Sequence, residues 1–123
     1  MKKVLTVLIG LILMTNIIFA LEVGEDAASF ANMDLSGKFL FSKNHVGKDW
    51  IIIDFFATYC IPCKDEIPEL EILMEEFSDK ALQCFVMATD KKGSSVLDPY
   101  FQETPTTLTV LIDRYMVTAK RWA

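Results

Sequence analysis

The chain has 123 residues, 52% of them hydrophobic and 24% charged, which is enough for one domain with a real core and too little for two. Its 12 basic residues against 17 acidic ones leave a formal net charge of -5, and no basic cluster follows the first three positions. Nucleic-acid binding is excluded on that ground, because nothing would replace the counterions of a phosphate backbone.

Residues 1–20 read as an export signal: Lys2 and Lys3 form the positive end, and residues 4–19 an unbroken apolar or neutral run. Cleavage is expected after Ala20, although Ile18 is a fair rather than ideal match to the small-residue rule at such sites. The run is slightly short for a spanning helix of about 20 residues, so a retained membrane tether through residues 4–19 is the alternative. No cysteine lies near its end, which excludes a lipid-modified N-terminus. The remainder, residues 21–123, is read as one domain.

Residues 21–44 form an extended lead-in with a turn at Ser36-Gly37 and with Phe39 and Phe41 alternating on one side of a strand. Residues 50–57 carry the strongest strand signal. Ile51, Ile52, Ile53, Phe55 and Phe56 make it apolar on both faces, the pattern of a central strand in a covered sheet, and only Asp54 interrupts it. From Cys60 the period changes to three and four (Ile67, Leu70, Leu73, Met74, Phe77), with acidic residues between, which predicts an amphipathic helix over 60–78. Pro68 lies deep enough in that helix to kink it. A strand follows at 81–89 and a turn at Lys91-Lys92-Gly93. Asp98-Pro99 is read as a cap and first position of a short helix ending at Glu103, and residues 108–112 as a last strand. This order of strands and helices predicts an α/β fold with parallel pairing.

Chemistry concentrates at Cys60 and Cys63. A strand ending at Tyr59 and a helix beginning at Cys60 put the first thiol at a helix N-terminus, where free N–H groups and the helix dipole favour a thiolate. Cys60 is the expected nucleophile. Cys63, one turn on, is placed to resolve the mixed disulfide. Asp54 is a carboxylate in an apolar strand near the base of that helix, expected to have a raised pKa and to accept the Cys63 proton. Its bland alternative is an edge residue reaching solvent.

Residues 50–70 (WIIIDFFATYCIPCKDEIPEL) resemble the active-site segment of thioredoxins, most of all the exported thioredoxin-like proteins of the TlpA and ResA kind. The segments VGEDAASF at 23–30 and DLSGK at 34–38 resemble that group's N-terminal hairpin. The resemblance implies a thioredoxin-like fold with an N-terminal β-hairpin extension. It implies extracytoplasmic exchange of a Cys-x-x-Cys disulfide with protein thiols or disulfides, an upstream redox donor, and no cofactor. It also implies that Glu66 is the acidic residue beside the thiols and Pro68 the kinking proline. Tyr59 departs from the family's usual Trp, and Asp54 from the Asn frequent in TlpA-type proteins.

Two competing readings have less support. A zinc site would need Cys84 and His45 beside the pair, but Cys84 lies mid-strand and reads as a small buried hydrophobe, while His45 sits in a polar loop. The aromatics Phe39, Phe41, Phe55 and Phe56 read as core. A peroxiredoxin would have a Pro-x-x-x-Thr-x-x-Cys context, whose corresponding positions here hold Ile53 and Ala57.

The C-terminal part leaves two alternatives. Thr104-Pro105-Thr106 is a candidate cis-proline loop, but no glycine-bearing hairpin follows it. Residues 108–123 instead resemble the extra strand and helix that TlpA-type proteins insert before their cis-proline, with 117–123 helical. On either reading the last helix of the fold is missing, so an incomplete C-terminal part is expected, with a truncated non-catalytic module as the alternative function.

Overall fold

The computed structural model describes residues 23–122. The expected leader and tether at 1–20 lie outside those residues. Among the described residues no helix is long and apolar enough to cross a membrane.

Strands β1 (Ala31–Asp34) and β2 (Phe39–Phe41) form an antiparallel hairpin, with Met33 opposite Phe39. Its turn is fixed by Asp34, whose Oδ1 accepts from the Ser36 N–H, the Ser36 hydroxyl and the Lys38 N–H at 2.6–2.9 Å. The Ser36 hydroxyl bond is the main reason that this exposed carboxyl sits below its ordinary range. Gly37, at φ 86, takes the left-handed position that a side chain would strain. After a single turn of 3-10 helix at Ser42–Asn44 come β3 (Trp50–Phe56), α1 (Ile61–Glu76), β4 (Leu82–Ala88), α2 (Ser94–Glu103), β5 (Thr109–Ile112) and α3 (Val117–Trp122).

The five strands form one mixed sheet in the order β2-β1-β5-β4-β3. β3, β4 and β5 run parallel, with Ile52 opposite Cys84 and Val86 opposite Val110, while β1 closes antiparallel on β5. One face buries Phe56, Val86, Ala88 and Val110 against Ile67 of α1 and Leu97 of α2. The other gathers Phe85, Met87 and Leu111 around Phe30, with Trp122 of α3 packed beside them. Val86, Met87, Ala88 and Leu111 are fully buried, so the middle of the core lies at β4 and β5.

Three expectations change. β3 is apolar on both faces but, among the described residues, is an edge strand, with Ile51 to Phe55 only partly buried. Continuous apolarity reports the environment a strand prefers, and a strand is central only if a neighbour pairs with each edge. Phe39 and Phe41 are exposed and stack on each other at 6.2 Å on the outlying β2, so they are not core, whereas Phe56 is. α2 begins at Ser94, not at Pro99: Leu97 is fully buried under the sheet, and that burial requires the helix a turn earlier. The helix then tolerates Pro99 despite one missing N–H bond.

Candidate redox-active site

Parallel strands direct their C-terminal ends to one side, and the site is built there. β3 ends at Phe56, and the chain turns through Ala57-Thr58-Tyr59, closed by the Cys60 N–H donating to the Ala57 carbonyl at 2.9 Å. Cys60 is the N-terminal cap of α1, with extended backbone, and Pro62 occupies the first turn, where its missing N–H costs nothing. That turn contains no acidic residue; Asp65 and Glu66 come later. No carboxylate therefore competes for the positive end of the helix. Cys60 and Cys63 are joined in a disulfide, S–S 2.02 Å and Cα–Cα 5.4 Å. Cys63 Sγ lies 3.8 Å from the Phe55 carbonyl oxygen, beneath the helix start. Pro68 sits inside α1, which continues past it to Glu76.

Asp54 occupies the α1-facing side of β3, partly buried, and its Oδ2 is enclosed without a hydrogen-bond partner among the described residues. Burial pushes its pKa from 3.8 up to about 6, and the negative charge of Glu66 adds to the rise. Glu66 itself is exposed on α1. The structure thus brings Cys60, Cys63, Asp54 and Glu66 to one end of the sheet.

Pro105 is elsewhere. It belongs to the loop that enters β5 at its N-terminal end, the opposite end of the parallel strands from the disulfide. No peptide bond among the described residues is cis. Its loop is tied to the middle of α1 by Glu71, whose carboxylate accepts from the Thr106 hydroxyl at 2.7 Å and from the Thr107 N–H at 2.6 Å. Those bonds lower the Glu71 pKa. The cis-proline reading of Pro105 therefore fails on position as well as on isomer.

Cys84 is buried in β4 on the α1 side, where desolvation and the nearby Asp54 charge push its thiol up to about 11. His45 belongs to the other face: its ring meets Phe85 edge-on at 5.5 Å, and its Nδ1 lies 2.6 Å from Asp49 Oδ2. Because neighbouring strand residues point to opposite faces, these two cannot converge on a common ion with the disulfide pair.

Sequence reasoning missed Asp90. It is buried just beyond β4, and its carboxylate accepts from the Thr58 N–H at 3.0 and 3.3 Å and from the Thr58 hydroxyl at 2.6 Å. It thereby holds the turn that presents Cys60. The available signal was an acidic residue directly after an apolar strand, at the end of the sheet where the cysteine pair had to lie.

Comparison with known proteins agrees with this geometry. Residues 23–123 match the AhpC/TSA family. The thioredoxin-like protein YneN of Bacillus subtilis is 31% identical over 100 residues, covering 80% of this chain and 58% of that protein. The thiol-disulfide oxidoreductase ResA of Bacillus thuringiensis is 29% identical over 76 residues, covering 62% and 43%. This chain thus spans about half the length of the curated relatives it matches. Its fold superposes on a thiol:disulfide interchange protein of the DsbE kind from Chlorobium tepidum with a TM-score of 0.75 at 22% identity, covering 82% of this chain and 70% of the other. The chain belongs to the AhpC/TSA family and, within it, to the thioredoxin-like proteins of the TlpA and ResA type.

Proposed function

We propose that the chain is an extracytoplasmic thiol-disulfide oxidoreductase acting on protein thiols and disulfides. The observation that carries this is a Cys60–Cys63 disulfide whose first cysteine is the N-cap residue of a helix, near a carboxyl with a raised pKa. The names of the relatives support the same reading.

In the reducing direction, the Cys60 thiolate attacks one sulfur of a substrate disulfide. A Cys60–substrate disulfide forms as the substrate's own S–S bond breaks, and the departing thiolate takes a proton. Asp54 accepts the proton of Cys63, whose thiolate then attacks Cys60 Sγ. The Cys60–Cys63 bond closes and the second substrate thiolate leaves. Two electrons pass to the substrate, and an upstream dithiol donor restores the pair. Burial, with the Glu66 charge adding to it, keeps the Asp54 carboxyl basic enough to act near pH 6. Positively charged Lys2 and Lys3 ahead of the apolar run at 4–19 support export, with residues 1–20 either removed or kept as a tether.

Reduction of insulin disulfides by dithiothreitol tests the activity: the chain should accelerate it and Cys60→Ser should return it to the uncatalysed rate. Equal rates for the two proteins would sink the proposal. One competing reading is a module that folds but turns over only with a partner. Single alkylation of Cys60 without multiple turnover would select that reading. For location, loss of the mass of residues 1–20 on export separates a released protein from a tethered one.

A further inference from the structure

Beside the disulfide, a cleft of about 480 Å³ opens between the turn that carries Tyr59 and the turn after β4. Its walls are chemically divided. Tyr59, 78% exposed and adjacent in sequence to Cys60, stands on one side, and Val96 and Met116 supply further apolar surface. Lys91 and Lys92 supply two exposed ammonium groups, and neither is ion-paired among the described residues. The one carboxylate lining the cleft, Asp90, is buried and committed to Thr58. In a chain of net charge -5, this places free positive charge in the cleft that borders the turn presenting Cys60.

The cleft is held in shape. Gly93, at φ 57, closes the lysine turn by donating its N–H to the Asp90 carbonyl at 2.9 Å. Met116 has φ 55, a left-handed backbone unusual for a side-chain-bearing residue. It is fixed from both sides: its N–H donates to the Asp113 carbonyl at 2.8 Å, and its own carbonyl accepts from the Lys120 N–H at 3.1 Å.

We propose that this cleft is the subsite that seats the substrate chain next to its reacting cysteine, and that it selects a segment bearing one apolar and one acidic side chain there. The proposal rests on the exchange reading above and adds the class of substrate. The apolar side chain packs between Tyr59, Val96 and Met116, and the carboxylate meets Lys91 and Lys92. Because both lysines are exposed, the charge contributes mainly to the rate of encounter and is screened by salt.

The test uses the chain with Cys63→Ser, which leaves Cys60 to react once. Peptides whose single cysteine is activated as a 2-pyridyl disulfide are offered, flanked by Leu-Glu or by Leu-Lys. Cys60 forms a disulfide with the peptide sulfur and releases 2-thiopyridone, whose absorbance gives the rate. Each rate is divided by the same variant's rate with the small neutral reagent 2,2'-dithiodipyridine, and the Cys60→Ser, Cys63→Ser chain gives the background. The Leu-Glu peptide should react about ten-fold faster at low salt, and the gap should narrow as salt is raised. Adding Lys91→Glu and Lys92→Glu should reverse the preference. Equal normalised rates, or an unchanged preference in the charge-reversed chain, would overturn the subsite while leaving thiol exchange standing. No reaction of Cys60 with the small reagent would overturn the exchange reading, and the subsite with it.

Discussion

The two sides of the sheet are held by different means. On the β1–β5 side, buried polar groups stitch distant parts of the chain together. Asn32 donates to the Ile112 carbonyl and accepts from the Thr118 hydroxyl, both at 2.9 Å. Asp113 accepts from three N–H groups at the start of α3, and the Trp122 indole donates to the Ala28 carbonyl. On the β3 side no strand among the described residues pairs with the outer edge, and Ile51, Ile53 and Phe55 keep part of their surface in solvent. The disulfide lies on this second side. One side thus serves as an anchor, and the reacting pair sits on the other.

The largest expected effect comes from removing equal bulk on each side. Leu111→Ala, at a fully buried position, should cost about 2–5 kcal/mol. Ile53→Ala, on the partly covered face, should cost only ~1 kcal/mol. Urea unfolding curves with unchanged slopes would measure both. Equal costs would break the comparison, because they would mean that β3 is covered in solution.

A smaller pair of effects separates anchoring from presentation. Asp113→Ala removes the cap of α3, and Asp90→Ala removes the acceptor of the Thr58 turn; each should cost about 1–2 kcal/mol. Their chemistry should differ. With Asp90 replaced, the turn before Cys60 loosens, and the rate at which iodoacetamide alkylates the reduced Cys60 should change. Asp113→Ala should leave that rate as it was. A common response of both variants would mean that the thiol senses only global stability.

The same division explains what the residues revealed in advance. The Cys-x-x-Cys pair, the amphipathic helix behind it and the alternation of strands and helices are local patterns, and each was legible because neighbours in sequence make them. The edge position of β3 was not, since its apolar faces say nothing about which strands pair with it. Asp90 and Asp113 were equally hidden: each acts by accepting bonds from a buried turn or helix start, and a carboxylate in a polar loop has the same sequence signature. Pro99 misled because proline favours a first turn, yet the burial of Leu97 sets the start of α2 at Ser94. Asp54 was legible as an anomaly, a charge in an apolar strand, and the structure has it partly buried on the α1-facing side of β3.

The smallest effect on stability is also the one that tests Asp54 most directly. Its carboxyl titrates at about 6 in the folded chain against 3.8 as a free side chain, chiefly through burial. The folded state therefore holds a proton that the unfolded state has already released between these pH values, so folding stability falls as pH rises through that window. Well below pH 3.8 the carboxyl is neutral in both states and carries no penalty; well above pH 6 the penalty is complete. Asp54→Asn mimics the neutral form. It should unfold at the same temperature as the wild type near pH 3.5 and at a slightly higher one near pH 7.5, the gain being modest because part of the group reaches solvent. The same variant should lose turnover where it gains stability, since an amide cannot accept the Cys63 proton. Opposite signs at pH 7.5, higher melting temperature with slower insulin reduction, would identify a strained carboxyl kept for the reaction. A parallel loss of both would reduce Asp54 to a structural residue.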